Sequence, residues 1–498
     1  MGVLSHGHAR ASGSPPRGGT WRHPLATDGA VWGFWEFTYA NSALAIATWA
    51  FLIGGATALF VGPREGIAAI VIGNILGVLL ATFSTCVPCG KYGTEQFTFL
   101  RSMFGSNGSR LVYVLAVVFL TMGWLAVLGL MFGRSIDGLS GLVSTHQTDP
   151  GGVLVLVSGL TAIVLTGFVV ARGPTSIKVF NTIVAPALVI IMAVMLYMIL
   201  SQHSFAELMA LPALDAPFGD KRVNFMIAVE VNMAAGFSSW PYVGNLARLS
   251  KNQRTAFWPN IIGIFGAAVL GEAVGLLAAA ALGDSDPTVW MTHIGGITFG
   301  VIALGFVAFA NVTSMINILY TSIVGLRQLA GKKLREMSWT LLVAAFCVVP
   351  MLIVGFAPGI YDGFFIFLVW TSALNSALAG IGIADYFFLR QQRMNLRHLY
   401  AAEAQSPYRY WRGFNPIALA ALAIGFAVYV LVFNPQTLAN TTLFSFITAS
   451  LPSCLLAGLV HYGLTRLLAG RLGWGAYAKP LVRNEQILDL DTRSLSND

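Results

Sequence analysis

Charged residues cut this chain into long apolar blocks. Runs free of Asp, Glu, Lys and Arg lie between Glu36 and Arg64, Glu65 and Lys91, Arg110 and Arg134, Asp149 and Arg172, and Lys178 and Glu207. A second series follows: Arg222 to Arg248, interrupted only by Glu230; Arg254 to Asp284, interrupted only by Glu272; Asp286 to Arg327; Glu336 to Asp362; and Asp362 to Asp385. A helix needs about 20 largely apolar residues to cross the hydrocarbon of a bilayer, so each block predicts one membrane span. The uncharged stretch from Gly413 through Thr465 is too long for one helix, and the polar turn Asn434-Pro435-Gln436 to Thr442 divides it in two. The pattern predicts an all-α membrane protein of twelve transmembrane helices.

Orientation follows from the cations, because short loops rich in Lys and Arg stay in the cytoplasm. With the amino terminus inside, all but four of the 29 Lys and Arg residues are cytoplasmic, the exceptions being Arg64, Arg134, Lys221 and Arg222. Residues 1–30 are polar, hold His6, His8, Arg10, Arg17 and Arg22, and lack an apolar signal-peptide core, so they read as a disordered cytoplasmic tail. Residues 484–498 read the same way. A cell (plasma or inner) membrane protein with both termini cytoplasmic is expected. Composition agrees: 56% of the 498 residues are hydrophobic, 10% are charged, and the mean hydropathy is +0.72. These figures exclude an ordinary soluble domain and a disordered chain. The net charge of +8 is distributed between apolar blocks as topology requires, so it points to the lipid surface and not to a nucleic acid.

Two spans have an unusual texture. In span 6, Ala234-Ala235-Gly236-Phe237-Ser238-Ser239-Trp240-Pro241 puts glycine, two hydroxyls and a proline near mid-membrane, where proline removes a helix hydrogen bond. Span 1 has Asn41-Ser42, then Thr48 and Gly54-Gly55. Irregular backbone at that depth is tolerated where protein or a water-filled cavity satisfies its polar groups. Spans 1 and 6 lie five apart; five is odd, so a repeated five-span unit must be inverted in the bilayer, as in transporters with broken helices around a midplane site. The expected organisation is residues 31–200 as repeat 1 (spans 1–5), 223–390 as repeat 2 (spans 6–10), and 413–470 as spans 11 and 12.

Several motifs carry a family resemblance. Span 2 and its loop contain Gly73-Asn74-Ile75-Leu76, Gly90-Lys91-Tyr92-Gly93-Thr94 and Leu100-Arg101-Ser102-Met103-Phe104-Gly105, and span 3 centres on Gly123-Trp124. Span 6 exits through Asn245-Leu246-Ala247-Arg248-Leu249-Ser250-Lys251-Asn252. Span 10 ends Ile383-Ala384-Asp385-Tyr386-Phe387-Phe388-Leu389-Arg390, followed by Leu399-Tyr400 and Tyr410-Trp411-Arg412-Gly413-Phe414-Asn415. From about residue 31 to 470, in this order and spacing, the chain resembles the nucleobase:cation symporter-1 family, which includes cytosine permeases and a bacterial hydantoin transporter. The resemblance implies the five-plus-five inverted-repeat fold of the leucine-transporter type, with spans 1 and 6 broken.

A nucleobase or hydantoin is a flat, neutral ring with amide-like edges, so it needs an aromatic face and hydrogen-bonding groups, not a countercharge. The resemblance implies that Trp124 stacks on the ring, and stacking of a base on an aromatic is worth about 1–3 kcal/mol. An opposing aromatic is expected in the broken part of span 6, where Phe237 and Trp240 both qualify. In span 8, Asn311, Thr313, Ser314 and Asn317 fall within about 160° of a helical wheel and form one polar face. Asparagine both donates and accepts, matching an amide edge, so Asn41, Asn311 and Asn317 are candidate substrate contacts. The resemblance further implies a sodium site where Thr313 and Ser314 meet span 1 carbonyls, with Ala43 and Ile46 the candidates. Leu128 stands where the hydantoin transporter has an amide side chain, so edge recognition must come from elsewhere. Protons are a rival coupling ion, and Glu230 and Glu272 are the intramembrane carboxyls able to carry them, although both lie in the outer halves of their spans, where solvation in a vestibule is equally open.

The remaining signals are weak. Cys86-Val87-Pro88-Cys89 has no second pair, four cysteines make no disulfide framework, and no phosphate-binding loop is present. The sequence therefore leads to a monomeric secondary transporter, not an enzyme, with no cofactor beyond a sodium ion or proton. It imports a nucleobase or related heterocycle of the cytosine, purine, hydantoin or allantoin class; a non-coupled channel or facilitator for small neutral solutes is the alternative.

Overall fold

The computed structural model describes residues 32–477, apart from 145–147, 294–295, 330–333, 335 and 402–404. The tails expected at 1–30 and 484–498 lie outside the described residues. Among those described, the chain is helical throughout, with three isolated β-bridges and no strand. In chain order the principal helices are α1 (Phe34–Ala45), α2 (Thr48–Phe60), α3 (Pro63–Tyr92), α4 (Gln96–Val143), α5 (Val153–Ala171), α6 (Pro174–Gln202), α7 (Lys221–Ser238) and α8 (Trp240–Ala247). They continue with α9 (Gln253–Leu282), α10 (Gly296–Leu329), α11 (Trp339–Phe356), α12 (Phe364–Leu389), α13 (Pro416–Val432) and α14 (Ser450–Ala469).

Nine of these, among the described residues, are long and apolar enough to cross a membrane, or ten if α1 and α2 are one bent span. The two blocks predicted as spans 6 and 11 are weaker. The first is divided into α7 and α8, and α7 carries Asn224, Glu230 and Asn232; the second, α13, has 17 residues. The polar residues of α7 are enclosed by protein, with Asn224, Glu230 and Asn232 all buried, so none of them faces lipid.

Helix packing follows a pairwise exchange. α2 packs along α9 and α7 along α3, while α4 packs on α10 and α5 on α11. With α2 in span 1 and α9 in span 7, five spans forward from the first is span 6, α7, and five back from the second is span 2, α3. Small residues allow the closest approach: a Cβ on Gly77 would lie 2.4 Å from the Met233 carbonyl oxygen, and one on Gly236 would lie 2.7 Å from the Val78 nitrogen. In α4 the only strongly non-helical residue is Gly105 (φ 81°, ψ 174°), which turns the amphipathic segment starting at Gln96 into the span proper.

Candidate substrate and ion site

The interruption of span 1 is two residues long. Ile46 (φ −101°, ψ 101°) and Ala47 (φ −152°, ψ −179°) are extended, and the axes of α1 and α2 meet at 53°. Such a break leaves orphan carbonyls on α1 and orphan amides on α2. Span 8 supplies the partners: Ser314 Oγ donates to the Leu44 carbonyl (2.6 Å), Asn311 Oδ1 accepts from the Thr48 amide (3.2 Å), and Asn311 Nδ2 donates to Thr48 Oγ1 (2.8 Å). Asn311 therefore caps a helix from 263 positions away. The Ala50 amide bonds the Ala47 carbonyl, which releases the Ile46 carbonyl from the helical ladder.

Span 6 is treated differently. Ser239 alone separates α7 from α8, and its angles stay helical (φ −73°, ψ −16°). Pro241 has no N–H to give the Phe237 carbonyl, and Asn375 Nδ2 donates to that carbonyl instead (3.1 Å). One turn later Gln96 enters the ladder: its Nε2 donates to the Trp240 carbonyl (2.7 Å) and its Oε1 accepts from the Gly244 amide (3.0 Å). Those two backbone groups would bond each other in an uninterrupted helix. The Gln96 amide itself donates to Asn245 Oδ1 (2.8 Å).

Between these interruptions lies a narrow cavity lined by Leu44, Ala45, Trp49, Trp124, Ala235, Ser238, Ser239, Tyr242 and Ile264. No charged side chain lines it. Water-sized spheres fit in only about 20 Å³ of it, so a planar ring requires its walls to part. Trp124 is 3% exposed and edge-on to Trp49, Phe364 and Phe367 at 5.4–6.0 Å between ring centroids, and its indole N–H has no protein partner.

The other sequence candidates are distributed unevenly. Phe237 and Trp240 are fully buried but do not line the cavity; the aromatics that do, besides Trp124, are Tyr242 and Trp49. Tyr242 directly follows Pro241, and the reach of that proline was the available signal. Asn41 is buried against Gly263 of α9, outside the lining, with neither amide atom hydrogen-bonded. Asn317 pairs with Asn181 of α6, each amide donating to the other's oxygen (3.0 and 3.2 Å). Thr313 Oγ1 donates to its own helix at Phe309 (2.9 Å), so of the hydroxyl pair only Ser314 reaches span 1 in this arrangement. Leu128 is buried and outside the lining.

Neither membrane carboxyl sits in a vestibule: Glu230 is 1% exposed and Glu272 0%. Glu230 accepts from the Ala449 and Ser450 amides (2.8 and 3.1 Å), Ser450 Oγ and Tyr429 OH, and so anchors the N-terminus of α14, where amides and helix dipole favour an anion. Neutral side-chain oxygens and released carbonyls at the α1–α2 break are the donor type a hard monovalent cation takes. No cluster of three or more His, Cys, Asp or Glu suited to a metal occurs among the described residues, and the four cysteines are free and buried.

Comparison with known proteins decides the family. A family model described as permease for cytosine/purines, uracil, thiamine, allantoin matches residues 27–451. The chain belongs to the nucleobase:cation symporter family. The permease is 25% identical over 425 residues to a hydantoin permease of Microbacterium maritypicum, covering 82% of this chain and 83% of that protein. It is 22% identical over 402 residues to the purine-uracil permease NCS1 of Arabidopsis thaliana, covering 75% of this chain and 64% of that longer protein. Its fold matches Mhp1, a nucleobase-cation-symport-1 family transporter in a closed conformation with bromovinylhydantoin bound, at a TM-score of 0.74 and 22% identity over 95% of this chain and 99% of the other. A sodium-coupled sialic acid symporter in a substrate-bound outward-open state matches at 0.58 with 12% identity, over 90% and 92% of the two chains. The protein is thus a multi-pass membrane transporter of this family, not an enzyme.

Proposed function

We propose that this permease imports a nucleobase or related planar heterocycle, of the cytosine, purine, hydantoin or allantoin class, by symport with a cation. The observation that carries the reading is the uncharged, apolar cavity wedged between the span 1 break and the span 6 junction, with the unpaired Trp124 N–H in its wall. A neutral ring stacks on Trp124, opposed by Tyr242, with Phe237 and Trp240 behind the wall. Asn41, whose amide has no hydrogen-bond partner, lies one helical turn before the wall residues Leu44 and Ala45, and Asn311 and Asn317 hold the helices that shape the site. Sodium binds at the break, to Ser314 and the Ala43 and Ile46 carbonyls, with Thr313 joining by a change of rotamer. There the ion replaces the contact that Ser314 makes with Leu44, so binding shifts the balance between two arrangements of spans 1 and 8.

The architecture we infer is twelve spans, with residues 31–200 and 223–390 as inverted repeats and 413–470 as two further spans, both termini cytoplasmic, acting as a monomer in the cell membrane. The exchanged pairing of α2 with α9 and α7 with α3 supports the inversion. Proteoliposomes loaded against cytosine, hypoxanthine, hydantoin and allantoin, with sodium and pH gradients imposed separately, test the function. Saturable, gradient-driven uptake of one class is expected; flux that neither saturates nor follows either gradient identifies a channel and defeats the reading. Trp124→Ala should weaken binding of that substrate roughly 10- to 100-fold, the loss of one stacking partner, and unchanged affinity would take Trp124 out of the site.

A further inference from the structure

One polar cluster joins four helices at membrane depth. Thr57 of α2, Asn74 of α3, Asn232 of α7 and Glu272 of α9 are each 0% exposed. Asn232 Nδ2 donates to Thr57 Oγ1 (2.9 Å) and to the Ala228 carbonyl (2.7 Å), and Thr57 Oγ1 donates to the Ile53 carbonyl (2.9 Å). Asn74 Nδ2 donates to Glu272 Oε2, to the Ile70 carbonyl (3.0 Å) and, at 3.5 Å, to Asn232 Oδ1. Two atoms remain without a partner: Glu272 Oε1 and Asn74 Oδ1. Both are acceptors when the carboxyl is ionised, and neither can satisfy the other.

No ion pair reaches Glu272 among the described residues. Of the elements packed on α9, α2 bears no charged residue, and α3 bears Arg64 and Glu65 in its first turn and Lys91 in its last. Glu36 of α1 is paired with Lys178 of α6, and Glu207 caps its own short helix at Ser204. Asp286, before the short helix Pro287–Trp290, is paired with Arg134, and Glu230 of the neighbouring α7 is bound to α14. The helices are close-packed beside it: a Cβ on Gly54 would lie 2.0 Å from the Glu272 carbonyl oxygen, so the backbones of α2 and α9 are already in contact. An ionised carboxyl enclosed with one amide donor and no countercharge is strongly disfavoured.

We infer that Glu272 is a proton-binding site, separate from the hydroxyl and carbonyl groups at the span 1 break, and that its proton is exchanged during transport. A proton on the carboxyl turns one acceptor into a donor, and Asn74 Oδ1 is the acceptor left over to receive it. The proton comes from water and returns to water, with no other bond changed. A route is close: a second cavity, with about 150 Å³ open to water-sized spheres, is lined among others by Ile53, Ala56, Val231 and Asp362, of which Ile53 accepts the Thr57 hydrogen bond and Ala56 and Val231 immediately precede Thr57 and Asn232. Two of the four helices, α2 and α7, are halves of the interrupted spans and also carry Trp49, Ala235 and Ser238 of the first cavity's wall, which ties the cluster to the substrate site. Exchange during transport rests on the transporter reading; protonation itself does not.

The test is Glu272→Gln, whose amide supplies the missing donor without a proton. Infrared spectra of the substrate-free protein near neutral pH should contain the carbonyl stretch of a protonated, buried carboxyl that is missing from Glu272→Gln. Asn74→Ala should shift that band, and it carries this arm of the test if Glu272→Gln fails to fold. Absence of the band in the unmodified protein, or its persistence unshifted in the variants, overturns the site. For exchange, the dissociation constant of the transported heterocycle should change by up to tenfold per pH unit in the unmodified protein and by less than twofold in Glu272→Gln. Equal slopes in both, or no slope in the unmodified protein, overturn exchange. If no heterocycle binds, the transport reading fails while the infrared result still stands or falls alone.

Discussion

The two interruptions that face the cavity solve one problem in opposite ways. At span 1 the backbone itself leaves the helical region, and a neighbouring helix repairs the ends: Asn311 and Ser314 of α10 hold the orphan groups of Thr48 and Leu44. At span 6 the backbone stays helical through Ser239, and the lost bonds are replaced in line, by Asn375 on the Phe237 carbonyl and by Gln96 between Trp240 and Gly244. Span 1 therefore depends on three hydrogen bonds from two side chains of a single other helix. Span 6 has a local fallback, because the Trp240 carbonyl and the Gly244 amide remain one helical turn apart. The difference makes span 1 the interruption held from outside by another helix and span 6 the one spliced within its own ladder.

The largest effect should come from removing the clamp at span 1. Asn311→Leu strands the Thr48 amide and hydroxyl in an apolar interior and should cost about 2–4 kcal/mol, measured as reversible unfolding in mixed micelles; a cost below 1 kcal/mol would mean that the break supports itself. Asn375→Ala leaves only the Phe237 carbonyl unpaired, and a loss of about 1–2 kcal/mol is expected by the same measurement. The next prediction concerns pH. Glu95, the residue before α4, accepts from the Phe97 and Thr98 amides, yet burial pushes its carboxyl up to about 7, against the pull of those amides and of Arg248. A carboxyl raised in the folded state favours the fold when protonated, so its contribution is complete below its ordinary value and is lost as pH rises through about 7. Lowering the pH from about 8 to 6 should thus stabilise the protein by about 1 kcal/mol, and Glu95→Gln should flatten that dependence. Smallest of all, Gln96→Leu should cost under about 1 kcal/mol, because the ladder of α8 can close its own bond. A larger loss would show that the inserted amide, and not the helix, holds span 6.

Much of the site was visible as residue types and little of it as partnerships. The polar face of span 8 was legible because four polar residues share one side of an apolar helix, and Asn311 and Ser314 do meet span 1. Asn317 belongs to the same face but turns to Asn181, a residue with no local signature. Proline and glycine marked span 6, yet they could not say that Asn375 and Gln96 replace the missing bonds, or that Tyr242 rather than Phe237 or Trp240 looks into the cavity. Glu230 and Glu272 look alike in sequence, each a lone acid in an apolar run. One receives three donors from Ala449 and Ser450 at a distant helix end and a fourth from Tyr429 of α13, and the other receives one amide.

The sequence by itself determined the membrane setting, the order of apolar segments and the family, because hydropathy is a property of one window of chain and family motifs are strings. Tertiary structure alone decided which face of each helix meets the cavity, which carboxyl is anchored and which is left short of a donor. Rotation of a helix about its axis, and the choice of a partner hundreds of residues distant, are settled by close packing among all the helices at once.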